Sequence, residues 1–510
     1  MVDATPLLRL YARRRLARLA RLDAVAAQQA TLHRLIARAA GTRFGRDHGF
    51  AGIRTVDAFQ AQVPLRRFAD FWDDYWRDAF PNIGGQTWPG PIRYFAETSG
   101  TTTNVTKHIP VSPAMVRSNR RAALDILVFH TQARPHTKVM GGRSFMLGGN
   151  PNLAALAPGV RSGDLTGIAA REVPFWAKSH YFPVGPVARI TQWDDKVAAQ
   201  GRESLRRDIR MIAGTTSWLL RYFDELPSIA GQPGARIADL YPRLELVVHG
   251  GVDSTPYRDR FAAHLDGSGA AMREVYPASE GFLAVADRGP GAGLRLIVDN
   301  GLFFEFVPVD QLDAHNPPRH WLGTVETGVN YAVVLSTCAG CWAYVLGDTV
   351  RFVDLNPPRL LVTGRIATFL SAFGEHLSGA EIERAVTAAA QAIGRSVQDF
   401  TVTPVFPTEQ MATGHHRFIV EFTDGPPPAD ALDVFAHRLD AVLGDGNDDY
   451  RAHRGGGFGM AAPVIDVAPP GTFTRWMAAR GKLGGQNKVP RVITDATLLA
   501  GLDQAIGETA

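Results

Sequence analysis

The pattern of hydrophobic and polar positions changes twice along the chain. Residues 1–90 show mainly helical spacing, with turn residues at Gly41 and at 45–47. From about 91 to 355, short apolar runs alternate with helical patterns. The strands predicted in this region include Leu244–Val248, Leu294–Val298, Phe303–Val307 and Val333–Leu335. The alternation favours an α/β fold in which β-sheets and helices form layers.

A second, smaller α+β domain is predicted from about residue 366. The elements expected there are helices at Gly379–Ala390 and Ala429–Leu443 and a strand at Phe418–Phe422. The polar, glycine-rich stretch Arg480–Lys488 is expected to be an exposed, mobile loop. We therefore divide the chain into a large N-terminal domain, 1–365, and a small C-terminal domain, 366–510.

Composition indicates a folded chain. Its 510 residues are 45% hydrophobic and 20% charged, and the two signs are mixed along the chain, which excludes the disordered class. The net charge is +4, and the main basic cluster lies among leucines near the N-terminus: Arg9, Arg13, Arg14, Arg15, Arg18 and Arg21. We interpret this cluster as a terminal helix with a solvated basic face rather than a nucleic-acid or membrane-surface patch.

Cysteine use and hydropathy point to a soluble cytoplasmic protein. We find no apolar run of the roughly 18 residues needed to span a membrane, and no apolar stretch typical of a signal peptide at the N-terminus. The two cysteines, Cys338 and Cys341, follow the apolar run Tyr331–Leu335. A zinc site would need further ligands, so we expect two small core residues without a disulfide.

A hydroxyl-rich segment extends from Glu97 to Lys107. Between these two residues the sequence reads Thr-Ser-Gly-Thr-Thr-Thr-Asn-Val-Thr. Hydroxyl groups and free backbone N–H groups can surround a polyphosphate, Gly100 would let the backbone approach closely, and Lys107 would add a positive charge. The spacing of a Walker loop is absent. On composition alone, a phosphate-binding loop and a hydroxyl-rich surface turn fit this segment equally well.

Four later segments carry further candidate chemistry, although each, taken alone, is compatible with an ordinary turn. In Tyr276–Glu280 the tyrosine ring could stack on a base, and the glutamate could bind Mg²⁺. Asp348 ends an apolar run and could accept hydrogen bonds from ribose hydroxyls. Gly364-Arg365 lies at the predicted domain boundary and could form a hinge. In Gly484–Arg491, Lys488 could swing into a site and neutralise developing charge.

In this order, the segments resemble the motifs of the adenylate-forming superfamily and, more closely, those of the Gretchen Hagen acyl-acid amido synthetases. The resemblance covers nearly the whole chain. The matching segments are 41–50, Thr98–Lys107, Tyr276–Glu280, Phe304–Pro308, Ser336–Asp348, Asn447 with Tyr450 and Arg454, Gly471–Phe473 and Gln486–Arg491. Three positions depart from the pattern: Asn104 replaces a glycine, Thr368 a hinge aspartate and Ala343 an arginine of the plant enzymes.

The resemblance implies a role for each matched residue. The residues that would hold the phosphates of ATP are Thr98, Ser99, Gly100, Thr101, Thr102 and Lys107. The other nucleotide-binding residues that it implies are Gly250, Gly251, Tyr276, Ser279, Asp348 and Arg365. Among these, Tyr276 would flank the adenine, and Asp348, aided by Arg365, would hold the ribose. Glu280 would bind Mg²⁺, and Lys488 would assist adenylation.

The implied activity is ATP-dependent formation of an amide. The N-terminal domain, 1–365, would bind ATP, Mg²⁺ and a small carboxylic acid, and the mobile C-terminal domain, 366–510, would carry the adenylation lysine. The acyl group would pass to an amine or amino acid, and neither nucleic acid nor a membrane span is expected. Two alternatives stay open, a ligase that uses coenzyme A and a nucleotide-binding relative without activity.

The pocket for the acid is the least determined part of the sequence. Phe175, Trp176, Tyr181 and the segment Gly214–Phe223 could line it. Aromatic residues at such spacing are more often part of the core, and we interpret most of these residues in that way.

Overall fold

The computed structural model describes residues 2–99, 106–148, 151–190, 193–250, 258–312, 314–366, 370, 377, 379–406, 413–447, 450–451, 454, 460–483 and 488–507. The chain divides into two compact units, one within residues 1–362 and one within residues 363–510. We describe each unit separately.

The first unit contains helices along its whole length. Its α-helices are α1 (Thr5–Ala20), α2 (Ala24–Ala39), α3 (Arg43–Asp47), α4 (Val56–Gln62), α5 (Phe68–Phe71), α6 (Pro113–Ala133), α7 (Leu165–Arg171), α8 (Trp193–Ser204), α9 (Thr216–Ile229), α10 (Ile237–Leu240) and α11 (Arg258–Leu265). Short 3₁₀ segments lie at Phe50–Gly52, Arg77–Ala79, Val139–Gly141, Phe175–His180, Gly185–Arg189 and Val309–Gln311. The helical character predicted for the first 90 residues is confirmed.

The strands of the chain follow the predicted α/β order. They are β1 (Tyr94–Ser99), β2 (Thr106–Val111), β3 (Arg143–Met146), β4 (Ala154–Ala157), β5 (Val160–Gly163), β6 (Tyr181–Phe182), β7 (Ile209–Thr215), β8 (Leu246–Gly250), β9 (Ala271–Ala278), β10 (Gly281–Val285), β11 (Leu294–Leu296), β12 (Leu302–Pro308), β13 (His320–Trp321), β14 (Asn330–Thr337), β15 (Tyr344–Leu355), β16 (Pro358–Arg365), β17 (Val397–Val405), β18 (His415–Phe422) and β19 (Val464–Ala468).

Two sheets organise the first unit. One has the order β2-β1-β5-β4, and the larger has the order β13-β12-β14-β15-β16-β11-β10-β9-β8-β7-β3-β6. The β6-β3-β7-β8-β9 part of the larger sheet is parallel, and α9, α10 and α11 connect its successive strands β7, β8 and β9. Helices that connect parallel strands cover the faces of the sheet, which explains the fully buried strand Leu246–Gly250.

Helix α6 forms because local signals at its start favour it and because it has an apolar face. The hydroxyl of Ser112 accepts hydrogen bonds from the backbone N–H groups of Ala114 and Met115, and Pro113 occupies the first turn. The buried face of α6 packs with Val248 of β8 and Val275 of β9 in one hydrophobic cluster. The helix therefore covers one face of the parallel strands.

Helix α1 corrects the prediction for the basic cluster. Arg15 is buried rather than solvated, and its guanidinium donates hydrogen bonds to both Asp125 and Asp299 at 2.7–2.9 Å. Burial opposes the ionised form of Asp299, but the hydrogen bonds from Arg15 hold the pKa of this carboxyl below its usual value. Leu10 is exposed on the same helix, so hydropathy alone assigns the wrong residues to the core.

The second unit is an α+β structure, as predicted. Its α-helices are α12 (Gly379–Ala392), α13 (Ala429–Gly446), α14 (Thr472–Ala479) and α15 (Ala496–Gly507), and its sheet has the order β17-β18-β19. Apolar residues of α12 and α13 pack with β17 and β18 in one cluster, and those of α14 and α15 form another. Helices α12 and α13 begin at the predicted residues. They end two and three residues, respectively, beyond the predicted ends.

Two other sequence expectations concern burial. Cys338 and Cys341 are free and buried, as predicted, and burial raises the pKa of the Cys338 thiol to about 12. Among the residues that the structure describes, no helix is long and apolar enough to cross a membrane.

Candidate functional site

Two predicted site residues, Tyr276 near the end of β9 and Asp348 within β15, are in contact. The hydroxyl of Tyr276 donates a hydrogen bond to Oδ2 of Asp348 at 2.8 Å, although the two residues are 72 positions apart. Gly347, at a φ of 95°, precedes Asp348 where the pairing of β14 with β15 is interrupted. Such a bulge re-aims the following side chain, and glycine accepts this φ without strain. The sheet thus brings the two residues together.

Ser279 and Glu280 form the tight turn between β9 and β10. Both are buried, with 7% of each residue exposed. The thiol of Cys341 has a raised pKa, mainly through burial and further through the negative charge of Glu280, so this carboxylate lies close to the β14–β15 connection. We call Tyr276, Ser279, Glu280 and Asp348 the β9–β15 corner.

Gly250 ends β8 beside the same corner. A Cβ at this position would overlap the backbone oxygen and side chain of Val275 on the neighbouring strand β9. Only glycine therefore lets the two parallel strands approach here. Gly251 lies outside the described residues.

The hydroxyl-rich segment begins and ends on paired strands. Thr98 of β1 lies opposite Lys107 of β2 in an antiparallel register. The predicted residues Gly100, Thr101 and Thr102 lie outside the described residues, as does the departure Asn104, and so do the side chains of Thr98 and Ser99. Both ends of the segment are thus held by the sheet.

A polar contact supports the base of this hairpin. Ser162 of β5 donates a hydrogen bond from its hydroxyl to Oε1 of Glu97 at 2.7 Å, and Nδ1 of His108 lies 3.1 Å from the same hydroxyl. Glu97 and His108 are register partners on β1 and β2. Burial lowers the pKa of His108, which favours its neutral form near neutral pH.

Lys488 belongs to the second unit and is exposed. Three residues later, Arg491 donates from Nε to Oε1 of Glu383 at 2.9 Å and from Nη1 to the carbonyl oxygen of Phe400 at 3.0 Å, and it pairs with Asp399. Its guanidinium also stacks 4.3 Å from the centre of the Phe400 ring. We call Lys488–Ile493 the lysine segment.

Backbone bonds fasten the lysine segment to the sheet. The N–H of Val402 donates to the oxygen of Arg491, and the N–H of Ile493 donates to the oxygen of Val402, both at 2.9 Å. The lysine is therefore carried by an anchored stretch of chain. Residues 484–487 and Thr368 lie outside the described residues, and so does the side chain of Arg365.

One matched motif has a structural role. Glu305 of the Phe304–Pro308 segment is fully buried and accepts two hydrogen bonds from Arg319 and one from Gln60, all at 2.9 Å. Arg319 also donates to the carbonyl oxygen of Gln60 at 2.9 Å. The carboxylate thus joins β12 to the helical N-terminal region and is not available to a ligand.

Two of the aromatic candidates differ from the core environment expected for most of them. Phe175 and Trp176 are 85% and 58% exposed, so interpreting them as core is wrong. The buried residues Leu219, Tyr222 and Phe223 of the 214–223 segment do belong to the core. Ala343, where the plant enzymes have arginine, is fully buried with a φ of 45°, an unusual conformation for a residue with a side chain.

Sequence reasoning missed two buried polar features near the corner. His249, directly before Gly250, is buried, and Arg258, at the start of α11, is half-buried with a buried Nε; both line one cavity. A histidine within the apolar run that ends β8 was the available signal. Among the described residues, no group of three or more His, Cys, Asp or Glu side chains is arranged to hold a metal ion.

The fold is that of the adenylate-forming enzymes. The GH3.15 acyl acid amido synthetase in complex with 2,4-DB superposes with a TM-score of 0.78 over 97% of this chain and 96% of that chain, at 18% identity. A 2-hydroxyisobutyryl-CoA ligase in complex with 2-HIB-AMP superposes with a TM-score of 0.59 over 94% and 91%, at 16% identity.

The chain belongs to the GH3 family. Its N-terminal domain model matches residues 15–181, its central domain model residues 295–365 and its C-terminal domain model residues 380–497. The probable indole-3-acetic acid-amido synthetase GH3.9 of Oryza sativa subsp. japonica is 29% identical over 257 residues, which cover 45% of this chain and 56% of that protein. The chain spans about half of the length of the first curated relatives that it matches. The resemblance inferred from the motifs is confirmed.

Proposed function

We propose that the protein is an acyl-acid amido synthetase, which adenylates a carboxylic acid with ATP and transfers the acyl group to an amine or amino acid. The observation that carries this proposal is the hydrogen bond between Tyr276 and Asp348, because it joins two motif residues that the family resemblance assigns to one nucleotide. Membership of the GH3 family and the amido synthetase names of the relatives support the same reaction. AMP and pyrophosphate are the expected products.

The β9–β15 corner would hold the nucleoside. Asp348 is half-buried and offers carboxylate oxygens to the two ribose hydroxyls, with Oδ2 oriented by the Tyr276 hydroxyl. The ring of Tyr276 would flank the adenine, with Ser279 beside it and with Gly250 and Gly251 as the facing backbone. Arg365 would assist at the ribose.

The hydroxyl-rich hairpin would hold the phosphates. Because β1 and β2 fix Thr98 opposite Lys107, the intervening hydroxyl and N–H groups of Ser99, Gly100, Thr101 and Thr102 can surround a polyphosphate from a rigid base. The contact of Ser162 with Glu97 and His108 would keep that base in register.

Glu280 fits a role as ligand of Mg²⁺. Magnesium prefers hard oxygen ligands and commonly takes only one or two carboxylates, the remaining positions being filled by substrate phosphates and water. One buried carboxylate at the turn, beside the hydroxyl of Ser279, suits that requirement. Bound there, Mg²⁺ would offset the negative charge of the phosphates.

The reaction makes a poor electrophile reactive. A carboxylate oxygen of the acid attacks the α-phosphorus, the bond between the α- and β-phosphates breaks, and pyrophosphate leaves. We propose that Lys488 neutralises the negative charge that develops on the phosphates during this step. A neutral amine then attacks the acyl carbonyl, AMP leaves, and the amine nitrogen loses its proton as the amide forms.

The two units would divide this work. The N-terminal domain, 1–365, would bind ATP and the acid, and the C-terminal domain, 366–510, would move to bring Lys488 to the phosphates and then withdraw it. The exposed position of Lys488 on an anchored segment supports this role. The cytoplasmic location stays a prediction.

The decisive experiment is a screen of carboxylic acids with ATP and Mg²⁺. We expect pyrophosphate and AMP, and an amide identified by mass spectrometry when amino acids are added. ADP and inorganic phosphate would contradict adenylation, and a thioester formed with coenzyme A in place of an amide would favour the ligase alternative. A folded protein that releases no pyrophosphate with any acid would favour the inactive alternative.

Glu280→Ala provides the matched test of the site. Removal of the carboxylate should lower the adenylation rate and weaken its dependence on Mg²⁺. Glu326→Ala, at an exposed glutamate of the same unit, serves as the control. An unchanged Mg²⁺ dependence in Glu280→Ala would show that the assignment of Glu280 is wrong.

A further inference from the structure

A cavity of about 370 Å³ lies against strands β8 and β9 in the first unit. It is on the face away from α6, because Val248 and Val275 face that helix and side chains alternate along a strand. The residues of its wall that matter here are His249, Arg258, Phe261, Met272, Glu274 and Gly291.

The cavity contains a buried nitrogen, Nδ1 of His249, for which the described part of the chain provides no hydrogen-bond partner. His249 is only 4% exposed, and among the described residues nothing forms a hydrogen bond with its Nδ1. Its ring stacks on Phe261 with the ring centres 5.7 Å apart. Burial, reinforced by the charge of Arg258, lowers the pKa of His249 to about 4, so the imidazole is neutral at physiological pH. An unpaired buried polar group destabilises the folded protein, and an occupant that pairs with the imidazole would remove that cost.

Arg258 supplies a positive charge at the same place. Its Nε is buried and has no hydrogen-bond partner among the described residues. The guanidinium lies against Gly291, at a φ of 79°, where a built Cβ would be 3.6 Å from one of its nitrogens. This distance places the guanidinium in ordinary contact with the cavity wall.

The other residues that line the cavity restrict the charge and the polarity of a ligand that could bind there. Phe261, Leu265, Met272 and Leu294 offer apolar surface. Glu274 adds a negative charge that repels a second negative charge on a ligand. Of the two arginines among the described lining residues, Arg288 is exposed at the rim and lies 3.9 Å from Asp354, which leaves Arg258 as the cation beside the imidazole. Arg258, a neutral imidazole and an apolar wall therefore suit a single carboxylate better than a phosphate dianion.

We propose that this cavity binds a small monocarboxylate with an apolar body, the carboxylate lying between Arg258 and the imidazole of His249. Glu274 and Tyr276 lie on the same face of β9 and are separated by one residue, so the site is about 7 Å along the strand from the nucleoside position. The site is separate from the β9–β15 corner, and its occupancy does not require ATP.

The methyl group of Met272 can report occupancy directly. We would label the methionine methyl groups with ¹³C, assign Met272 through Met272→Leu, and titrate the full-length protein with phenylacetate without ATP. A saturable shift of the Met272 signal is expected. Phenylacetamide, the neutral counterpart, should bind at least about tenfold more weakly, because it lacks the charge that strengthens a hydrogen bond to the guanidinium.

Three variants test which charges of the cavity wall act on the carboxylate. Arg258→Gln should weaken phenylacetate binding about tenfold or more, whereas Glu274→Gln should strengthen it, a change that structural damage cannot imitate. Arg288→Gln, at an exposed arginine of the same cavity rim, should change it less than about twofold.

Asp348→Asn should leave phenylacetate binding intact, which separates the cavity from the nucleoside site. The proposal is overturned if the Met272 signal does not respond to phenylacetate, if the amide binds equally well, or if Glu274→Gln weakens binding. It is also overturned if Asp348→Asn abolishes the response. None of these outcomes depends on pyrophosphate release, so the amido synthetase proposal is tested independently.

Discussion

The β9–β15 corner and the lysine segment carry the two halves of the proposed chemistry, and the chain positions them in different ways. At the corner, strand register and one bulge bring Tyr276 and Asp348 within hydrogen-bonding distance. In the lysine segment, the functional side chain is exposed, and the fixed point is Arg491, three residues away. A sheet suits residues that must hold a nucleoside in one geometry, whereas an anchored but exposed segment suits a residue that acts in only one step.

The largest expected effect tests the lysine segment. Lys488→Ala should lower the adenylation rate by about 10²–10³, because the lysine would stabilise charge only in that transition state. ATP binding and transfer of the acyl group from supplied acyl-adenylate should persist, as measured by separate assays of the two half-reactions. Lys482→Ala is the control. Equal losses in both half-reactions would show a shared or structural role, and a loss only in Lys482→Ala would transfer the role to that residue.

The next effect tests the corner. Asp348→Ala should lower kcat/KM for ATP by roughly 10–100-fold, since hydrogen bonds to a charged group contribute roughly 1.5–3 kcal/mol. Asp348→Ala, unlike Lys488→Ala, should also raise the dissociation constant of ATP, which calorimetry would measure. Asp354→Asn, on the same strand and paired with Arg359, should leave ATP affinity within about twofold. Unchanged affinity in Asp348→Ala would refute the ribose assignment.

Arg491→Gln should have an intermediate effect. The change removes the cation that joins Glu383 and Asp399 and so loosens the segment that carries Lys488. We expect adenylation about tenfold slower, a barrier increase of roughly 1.4 kcal/mol, together with a lower unfolding temperature. Transfer from supplied acyl-adenylate should change little. If Tm falls while adenylation keeps its full rate, the anchor stabilises the unit without positioning the lysine.

The smallest expected effect tests the hydrogen bond between Tyr276 and Asp348 in the β9–β15 corner. Tyr276→Phe keeps the ring that would flank adenine and removes only the hydroxyl bound to Asp348. The KM for ATP should rise roughly threefold with little change in kcat, because Asp348 keeps its charge and loses one orienting hydrogen bond. Tyr276→Ala, which removes the ring as well, should have a clearly larger effect. Equal effects of the two variants would assign the contribution to the hydroxyl alone.

Much of this fold could be predicted because its strands and helices have strong periodic patterns. The runs at 303–307 and 333–335 lie within the strands Leu302–Pro308 and Asn330–Thr337. The motif order correctly identified the family, and Tyr276 and Asp348, which it assigned to one nucleotide, are hydrogen-bonded to each other. Sequence could not show the bulge at Gly347 that aims Asp348, because pairing register depends on a distant strand.

Buried charge was the main source of error. Arg15 has the same local pattern as its exposed neighbours, and its partners Asp125 and Asp299 lie 110 and 284 residues away. The exposure of Phe175 and Trp176 likewise depends on tertiary packing, which overrides the tendency of aromatic residues to be buried. His249 was missed because a histidine within an apolar run resembles an ordinary core position.

The ion cluster around Arg15 has a consequence for shortened forms of the protein. Without helix α1, Asp125 and Asp299 would lose the cation that both bind, and Asp299 would lose the hydrogen bonds that hold its pKa below the usual value. A carboxyl whose pKa is lowered in the folded state stabilises that state above its unfolded pKa, and this contribution is lost as pH falls. The stability difference between the full chain and the shortened form should therefore be largest near neutral pH. A form lacking residues 1–22 should therefore become less stable from acidic towards neutral pH relative to the full chain, as urea unfolding at several pH values would reveal. At acidic pH, the shortened form should differ least from the full chain in its free energy of unfolding, because the contribution of Arg15 is smallest there.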